Sequence, residues 1–224
     1  MTIRLRFIFA AALFCAGGRA ATLDQVLARM DQNALKFKAV TAKVRYDSYI
    51  AVVKTNEVST GTFRMKRSKR DVLVLVELTE PDPKTIAFSG TKVEIYYPKL
   101  KQIEVYNLGG HDVVEKYLAL GFGASSNDLK ADYTIKELGA EAVNGVQTSR
   151  LELIPKSKQV LQQFLKIELW ISDATGYPVQ EKFYKTGGDY TIITYSDVTI
   201  NPTLPDSAFK LSPPKGVQRV FPGK

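Results

Sequence analysis

Few residues in this sequence have the chemistry of a catalyst. His111 is the single histidine and Cys15 the single cysteine. A Ser-His-Asp triad would have to use His111, but no nucleophile-elbow motif accompanies it. A zinc site normally needs several histidine or cysteine ligands, and the sequence lacks them. We therefore expect no enzyme activity, no metal site and no cofactor.

Paired carboxylates are the remaining chemistry that a catalyst could use. Most glutamates in predicted strands alternate with apolar residues, which is typical of a solvated outer sheet face. A hydrolase would instead need two of them facing inward and close together. No spacing in the sequence singles out such a pair. The glutamates concerned are Glu77, Glu94, Glu104, Glu152, Glu168 and Glu181.

A basic run, Lys66, Arg67, Lys69 and Arg70, lies between two predicted strands. A solvated turn would explain it. It could also attract anionic lipid, or donate hydrogen bonds that hold a neighbouring segment in place.

The first twenty residues have the pattern of a secretory signal peptide. Arg4 and Arg6 precede an uncharged apolar stretch, and Ala20 completes a small-residue cleavage site. The stretch is shorter than the ~20 apolar residues of a membrane-spanning helix. Lipoprotein processing at Cys15 is a poorer fit, because the bulky Phe14 precedes it. We predict a signal peptide over residues 1–20 and one domain over residues 21–224.

Export bounds the chemistry and the partners of the mature chain. Cleavage would remove Cys15, so no disulfide could form. The formal net charge of +8 includes the arginines of the predicted signal peptide. The net positive charge that remains after cleavage is modest for a nucleic-acid-binding protein. It fits an anionic membrane surface or an acidic partner better, with plain solubility as the alternative. We expect no nucleic-acid partner.

Periodicity predicts one helix followed by a long antiparallel sheet. Thr22 and Gln25 form a capping box before a helix over about 23–37. From Val40 onward the apolar period changes to two, and short turns join about ten or eleven strands. A helical insertion over 111–120 interrupts them. A sheet of that length must curl or close, so we expect an α+β, mainly antiparallel fold whose concave face is covered by the two helical segments.

Alternating apolar residues would line the concave face. An ordinary filled core would explain each one separately. Together, a curved sheet and its helical covers can leave a cleft for acyl chains. Each buried methylene contributes ~0.8 kcal/mol, so one long chain could gain on the order of 10 kcal/mol before ordering costs. The predicted lining on the strands is Val74, Val76, Leu78, Ile95, Tyr97, Ile103, Leu151, Ile167 and Leu169.

Three segments carry a resemblance to a known family. They are GTFRMKR at 61–67, SGTKVEIYYP at 89–98 and FKLSPPKGV at 209–217, and the last two are the most specific. With the leader, the first helix and the insertion, the chain resembles the LolA/LolB family of outer-membrane lipoprotein carriers, and LolA-like proteins in particular. The resemblance implies a strongly curved, incomplete β-barrel with a helical lid over a hydrophobic cavity.

The same resemblance implies a function and its partners. We expect a monomeric periplasmic carrier that binds the acyl chains of lipoproteins or other lipids. It would take them from an inner-membrane donor complex to an outer-membrane acceptor, touching membrane surfaces transiently. The alternative is an envelope lipid-binding sensor or assembly module without carrier activity.

The resemblance also implies a latch between the sheet and the lid. In the family an arginine ending the GTFRMKR-type segment bonds to the lid, and the matching residue here is Arg67. Ser68 stands where the family usually has proline, so Arg64 or Arg70 remain alternatives. The lid would span roughly 113–122, with four residues facing the cavity: Tyr117, Leu118, Leu120 and Phe122.

Overall fold

A computed structural model describes residues 21–68, 71–108 and 120–222. The predicted signal peptide lies outside these ranges, as does most of the predicted lid, including Tyr117 and Leu118. His111 and Arg70 also lie outside them. Within the described ranges, no helix has both the length and the apolar character needed to cross a membrane.

The first helix, α1, spans Leu23–Lys36 and begins at the predicted capping box. The Thr22 amide donates to the Gln25 side chain at 3.1 Å, and the Gln25 amide donates to the Thr22 hydroxyl at 3.4 Å. The two bonds satisfy amides that the first turn would otherwise leave unpaired. One face of α1 is buried through Val26, Leu27 and Met30.

Within the described residues, twelve strands form one sheet in the order β12-β6-β5-β4-β3-β2-β1-β11-β10-β9-β8-β7. All pairings are antiparallel except the parallel pair β12 and β6. The end strands β7 and β12 do not pair with each other, so the predicted incomplete barrel is confirmed. The strands are β1 (Ala39–Ile50), β2 (Thr55–Arg67), β3 (Val72–Glu80), β4 (Lys84–Ser89), β5 (Lys92–Tyr97), β6 (Gln102–Asn107), β7 (Tyr133–Val143), β8 (Val146–Pro155), β9 (Phe164–Ser172), β10 (Pro178–Lys185), β11 (Tyr190–Ile200) and β12 (Gln218–Val220).

Two short helices interrupt the strands in the described ranges. Helix α2 spans Ser126–Asp132 and follows the predicted lid, and α3 spans Lys158–Leu161 between β8 and β9. The sequence predicted about ten or eleven strands and missed β12. That strand has only three residues and follows a proline-rich tail, so it carries no periodic signal.

The strand register separates an inner face from an outer face of the sheet. Cross-strand partners point to the same side. Phe63, Val76, Ile86 and Ile95 are successive partners from β2 to β5, and they share the side on which α1 packs. We call this side the inner face.

Two buried apolar clusters occupy the inner face. One lies under β1–β3 and includes Val74 and Val76, whereas the other joins α1 to β8 and β9. The outer face has a smaller cluster in which Leu75 and Ala87 pack against Phe209 of the C-terminal segment.

Strand β9 allows a matched test of burial on the sheet. Leu169 is fully buried on the inner face, whereas Leu165 is 51% exposed. We expect Leu169→Ala to lower the free energy of unfolding by about 2–5 kcal/mol. Leu165→Ala should change it by less than about 0.5 kcal/mol. Urea unfolding measures both, and equal losses would contradict the difference in burial between the two leucines.

Candidate functional site

The inner face collects most of the predicted lining. Register and alternation place Val74, Val76, Leu78, Ile95, Tyr97, Leu151, Ile167 and Leu169 there. Leu120 and Phe122, from the end of the predicted lid, are 2% and 1% exposed and pack into the two inner clusters.

Ile103 is on the wrong side for the predicted lining. It pairs with Tyr96, and Tyr96 pairs with Thr85, whereas Ile95 pairs with Glu104 on the opposite side. Ile103 therefore shares the outer face with Leu75 and Ala87, and its expected place in the cavity was wrong. Alternation showed that Ile103 and Val105 share a face, but it could not show which face.

The inner face is packed more tightly at one side than at the other. Val74, Val76 and Leu78 on β3 are at most 6% exposed. Along β4 and β5 the inward side chains of Ile86, Phe88, Ile95 and Tyr97 are only partly buried. The inner face of β4 and β5 is therefore apolar surface that the described residues do not fully cover.

A polar margin bounds this surface at β6. Glu104 faces inward opposite Ile95, and its carboxylate accepts a hydrogen bond from the Tyr106 hydroxyl at 2.8 Å. Burial, followed by the nearby Glu104 carboxylate, raises the pKa of Tyr97. The apolar surface thus ends in groups that can hydrogen bond to water or to a polar ligand group.

The turn formed by Gly121, Phe122 and Gly123 closes onto the inner face. Its Phe122 ring meets Tyr195 edge-on, with 5.1 Å between ring centroids. Such pairs contribute about 0.5–1.5 kcal/mol beyond the burial of their area. The other rings around Phe122 are Phe37, Phe63 and Tyr177, at centroid distances of 6.4, 6.0 and 6.1 Å.

Both glycines of the turn are required by geometry. Gly121 has φ +82° and Gly123 has φ +87°, in the left-handed region. A Cβ on Gly121 would lie 2.8 Å from the Glu181 carboxylate, and one on Gly123 would lie 2.8 Å from the Phe37 ring. The signal in the sequence was a glycine on each side of an aromatic residue. This pattern indicates a turn, but it does not show what the turn contacts.

Arg67 contacts this turn from β2. Its Nη2 donates to the Gly123 carbonyl oxygen at 2.8 Å. Arg64 faces the other way, because its guanidinium pairs with Glu77 and reaches the Ala208 carbonyl on the outer face. The geometry therefore distinguishes the two arginines, although the role of Arg67 as a latch remains a prediction.

Helix α1 braces the chain that follows the turn. The Asp31 carboxylate accepts hydrogen bonds from the Ser126 amide at 2.6 Å and from the Ser126 hydroxyl at 2.7 Å. These bonds join α1 to the start of α2. The stretch from Gly123 to Ser126 is thus held at its two ends by Arg67 and Asp31.

Two buried glutamates lie on opposite faces of the sheet. Glu168 is on the outer face, where Arg150 and Lys166 each contact it at 2.7 Å. Burial opposes its charge, but the hydrogen bonds from Lys166 and Arg150 outweigh burial and lower its pKa. Glu181 is on the inner face. The two carboxylates therefore cannot act on one substrate as a pair.

The basic run and a possible metal site are the remaining features raised by the sequence. Lys66 of the basic run donates to the Leu204 carbonyl and pairs with Asp206, which holds the C-terminal segment on the outer face. Lys69 and Arg70 lie outside the described residues. Residues 21–68, 71–108 and 120–222 contain no group of three or more side chains arranged to hold a metal ion.

Comparisons with known proteins agree on one family. The family model described as "Outer membrane lipoprotein carrier protein LolA" matches residues 46–212. An outer-membrane lipoprotein carrier protein of Ralstonia nicotianae is 26% identical over 220 residues, covering 96% of each chain. One of Dechloromonas aromatica is 29% identical over 163 residues, covering 72% of this chain and 71% of that protein.

A solved structure supports the fold. An uncharacterised conserved protein of Thermus thermophilus superposes with a TM-score of 0.53 at 14% identity. The match covers 88% of this chain and 98% of the other.

The packing of the turn can be tested at its ring. Phe122→Ala removes the side chain at the centre of the aromatic cluster, and we expect it to lower the free energy of unfolding by about 3 kcal/mol. Phe221, which is 47% exposed, provides the control, and Phe221→Ala should cost less than about 1 kcal/mol. Urea denaturation of both variants measures the two changes in the free energy of unfolding. A loss below about 1 kcal/mol for Phe122→Ala would show that the ring does not hold the turn.

Proposed function

Because the chain belongs to the LolA family of outer membrane lipoprotein carrier proteins, we propose that it carries lipoproteins or other lipids by their acyl chains. The ligand would lie between the inner face of the sheet and the segment that ends in the Gly121–Gly123 turn. It would pass from an inner-membrane donor to an outer-membrane acceptor. The carrier would act in the periplasm as a monomer, without a cofactor or a catalytic step.

The partly covered inner face of β4 and β5 carries this proposal. A folded core normally buries its apolar side chains completely, as the inward residues Val74, Val76 and Leu78 of β3 show here. Ile86, Phe88, Ile95 and Tyr97 instead keep part of their surface accessible. Apolar surface that remains accessible inside a concave sheet is suited to an apolar ligand.

The chemistry of the surface favours a lipid over a compact polar ligand. Each methylene that leaves water contributes ~0.8 kcal/mol, without requiring a directional contact. The polar groups at β6, Glu104 and Tyr106, lie at the margin, where the head region of an acylated ligand would meet water. The acyl chains would then contact the apolar surface of β4 and β5, and the head region would lie beside the polar groups of β6.

The hydrogen bond from Arg67 to Gly123 would hold the turn closed and would break when the turn opens. Arg67 is exposed, so water can replace the bond to the Gly123 carbonyl when the turn moves. A hydrogen bond of this kind contributes a net ~1 kcal/mol. That is enough to bias the turn toward closure without preventing it from opening. Leu120 and Phe122 would then contact the ligand when the turn closes and separate from it when the turn opens.

Adjacent residues on β5 test the ligand surface. Ile95 faces inward and Tyr96 outward, and both are partly buried. We expect Ile95→Asp to lower the affinity for a palmitoylated fluorescent peptide at least about tenfold, because a carboxylate would have to lose water against the acyl chain. Tyr96→Asp should leave the affinity within about threefold.

Thermal unfolding of both variants separates lost binding from lost folding. Equal affinities in two folded variants would place the ligand elsewhere. A wild-type protein that takes up no acylated peptide, and contains no lipid by mass spectrometry, would favour the sensor or assembly module instead.

The latch is tested by two arginines of one strand. Arg67→Leu removes the bond to the turn and should speed release of the bound peptide about fivefold, since a net ~1 kcal/mol is lost. Arg64→Leu alters the outer face only and should leave the rate unchanged. Stopped-flow fluorescence gives both rates. If the Arg64 variant releases faster and the Arg67 variant does not, the latch assignment is wrong.

A further inference from the structure

Glu181 is an acidic side chain in an apolar setting that the proposed carrier function does not use. It lies on β10 and is 3% exposed. Its partners across the sheet are Leu169 on β9 and Ile193 on β11, so it points into the inner face. A carboxyl group placed there must be neutralised or paired, because burial of an isolated charge is strongly unfavourable.

The Gly121–Gly123 turn covers this carboxyl. A Cβ on Gly121 would lie only 2.8 Å from Oε1 of Glu181 and 2.8 Å from the Pro178 ring. Oε1 is buried and has no hydrogen-bond partner. The backbone of the turn therefore excludes water from the carboxyl without replacing the hydrogen bonds that water would make.

No cation compensates Glu181 within the described ranges. Leu169 of β9, Ile193 of β11, Pro178 and Gly121 around it carry no charge. The titratable groups that face it are the hydroxyls of Tyr195 on β11 and Tyr46 on β1. Burial raises the pKa of Glu181 from its ordinary 4.5 to about 8, and the Tyr195 hydroxyl opposes this only in part.

We propose that Glu181 is a positioning residue for the Gly121–Gly123 turn: the turn closes over the neutral carboxyl and is released when that carboxyl loses its proton. Lifting the turn hydrates Oε1, and the proton passes to water, so each opening releases one proton. The carboxyl and the Arg67 bond act on the same turn, but only the carboxyl makes its closure depend on pH.

The direction in which pH changes closure of the turn depends on which state of the turn binds the proton more tightly. The closed state binds the proton more tightly than the open state, because its pKa is raised. Closure is therefore favoured fully below about pH 4.5, and this advantage is lost as the pH rises toward about 8. Opening should increase about tenfold per pH unit within that window, since one proton is released per opening.

Hydrogen exchange of the amides of residues 120–123 tests the proposal on the full chain. After correction for intrinsic exchange, we expect protection in the wild type to fall about tenfold per unit between about pH 5 and 7.5. Glu181→Gln keeps the size of the side chain and removes its titration, so its protection should not change with pH. Glu152→Gln on the outer face is the matched control and should keep the wild-type slope.

Two results would overturn the role of Glu181: protection in the wild type that does not depend on pH, or a Glu181→Gln variant that keeps the full slope. If Glu181→Gln does not fold, carboxyl ¹³C NMR of the wild type gives the answer. One glutamate should titrate well above pH 5, together with the loss of protection in the turn. A spectrum in which every glutamate titrates below pH 5 would refute the proposal.

The consequence for ligand exchange rests on the proposed carrier function, whereas the opening of the turn does not. Release of the palmitoylated peptide should become faster with rising pH in the wild type and not in Glu181→Gln. Protein that binds no peptide but shows the pH-dependent opening would refute the carrier function and retain the switch. Normal peptide binding together with protection that does not depend on pH would refute the switch and leave the carrier function standing.

Discussion

The structure depends on one constraint, which is that a long antiparallel sheet with an apolar inner face has to cover that face. Alternation puts every second side chain on the inner side. Helix α1 covers β8 and β9, where Leu151, Leu153, Ile167 and Leu169 are fully buried. The Gly121–Gly123 turn covers β1–β3 through a single aromatic ring. The described residues leave Ile86, Phe88, Ile95 and Tyr97 on β4 and β5 partly exposed, and this is the surface to which we assign the ligand.

The contacts that close the turn differ in how easily they can be reversed. The aromatic cluster around Phe122 gains its energy from buried area, which water does not replace. The Arg67 bond is exposed and can be exchanged for water at little cost. The buried Glu181 carboxyl works against closure whenever it is charged. A stable anchor, a weak bond and a titratable group all act on the three-residue turn, so its closure can be firm and still adjustable.

Much of the fold could be predicted because its signals are local. The capping box at Thr22 and Gln25 fixed the start of α1, and alternation located most strands. Local signals do not assign faces, so Ile103 was placed on the wrong side. Glu181 was grouped with the strand glutamates expected on a solvated outer face, and only its register with Leu169 and Ile193 shows that it points inward. The aromatic cluster joins Phe37, which follows α1, to residues of β2, β11 and two turns, and no sequence pattern links residues so far apart. The β12 strand is too short to show a period.

The C-terminal segment has a consequence for the order in which the chain can fold. Arg64 of β2 reaches the Ala208 carbonyl, 144 positions later, and Leu75 of β3 is buried by Phe209. β1 likewise pairs with β11. The N-terminal strands therefore cannot complete either face until almost the whole chain has been synthesised and released. Contacts this distant in sequence slow folding and expose strand edges in the interval.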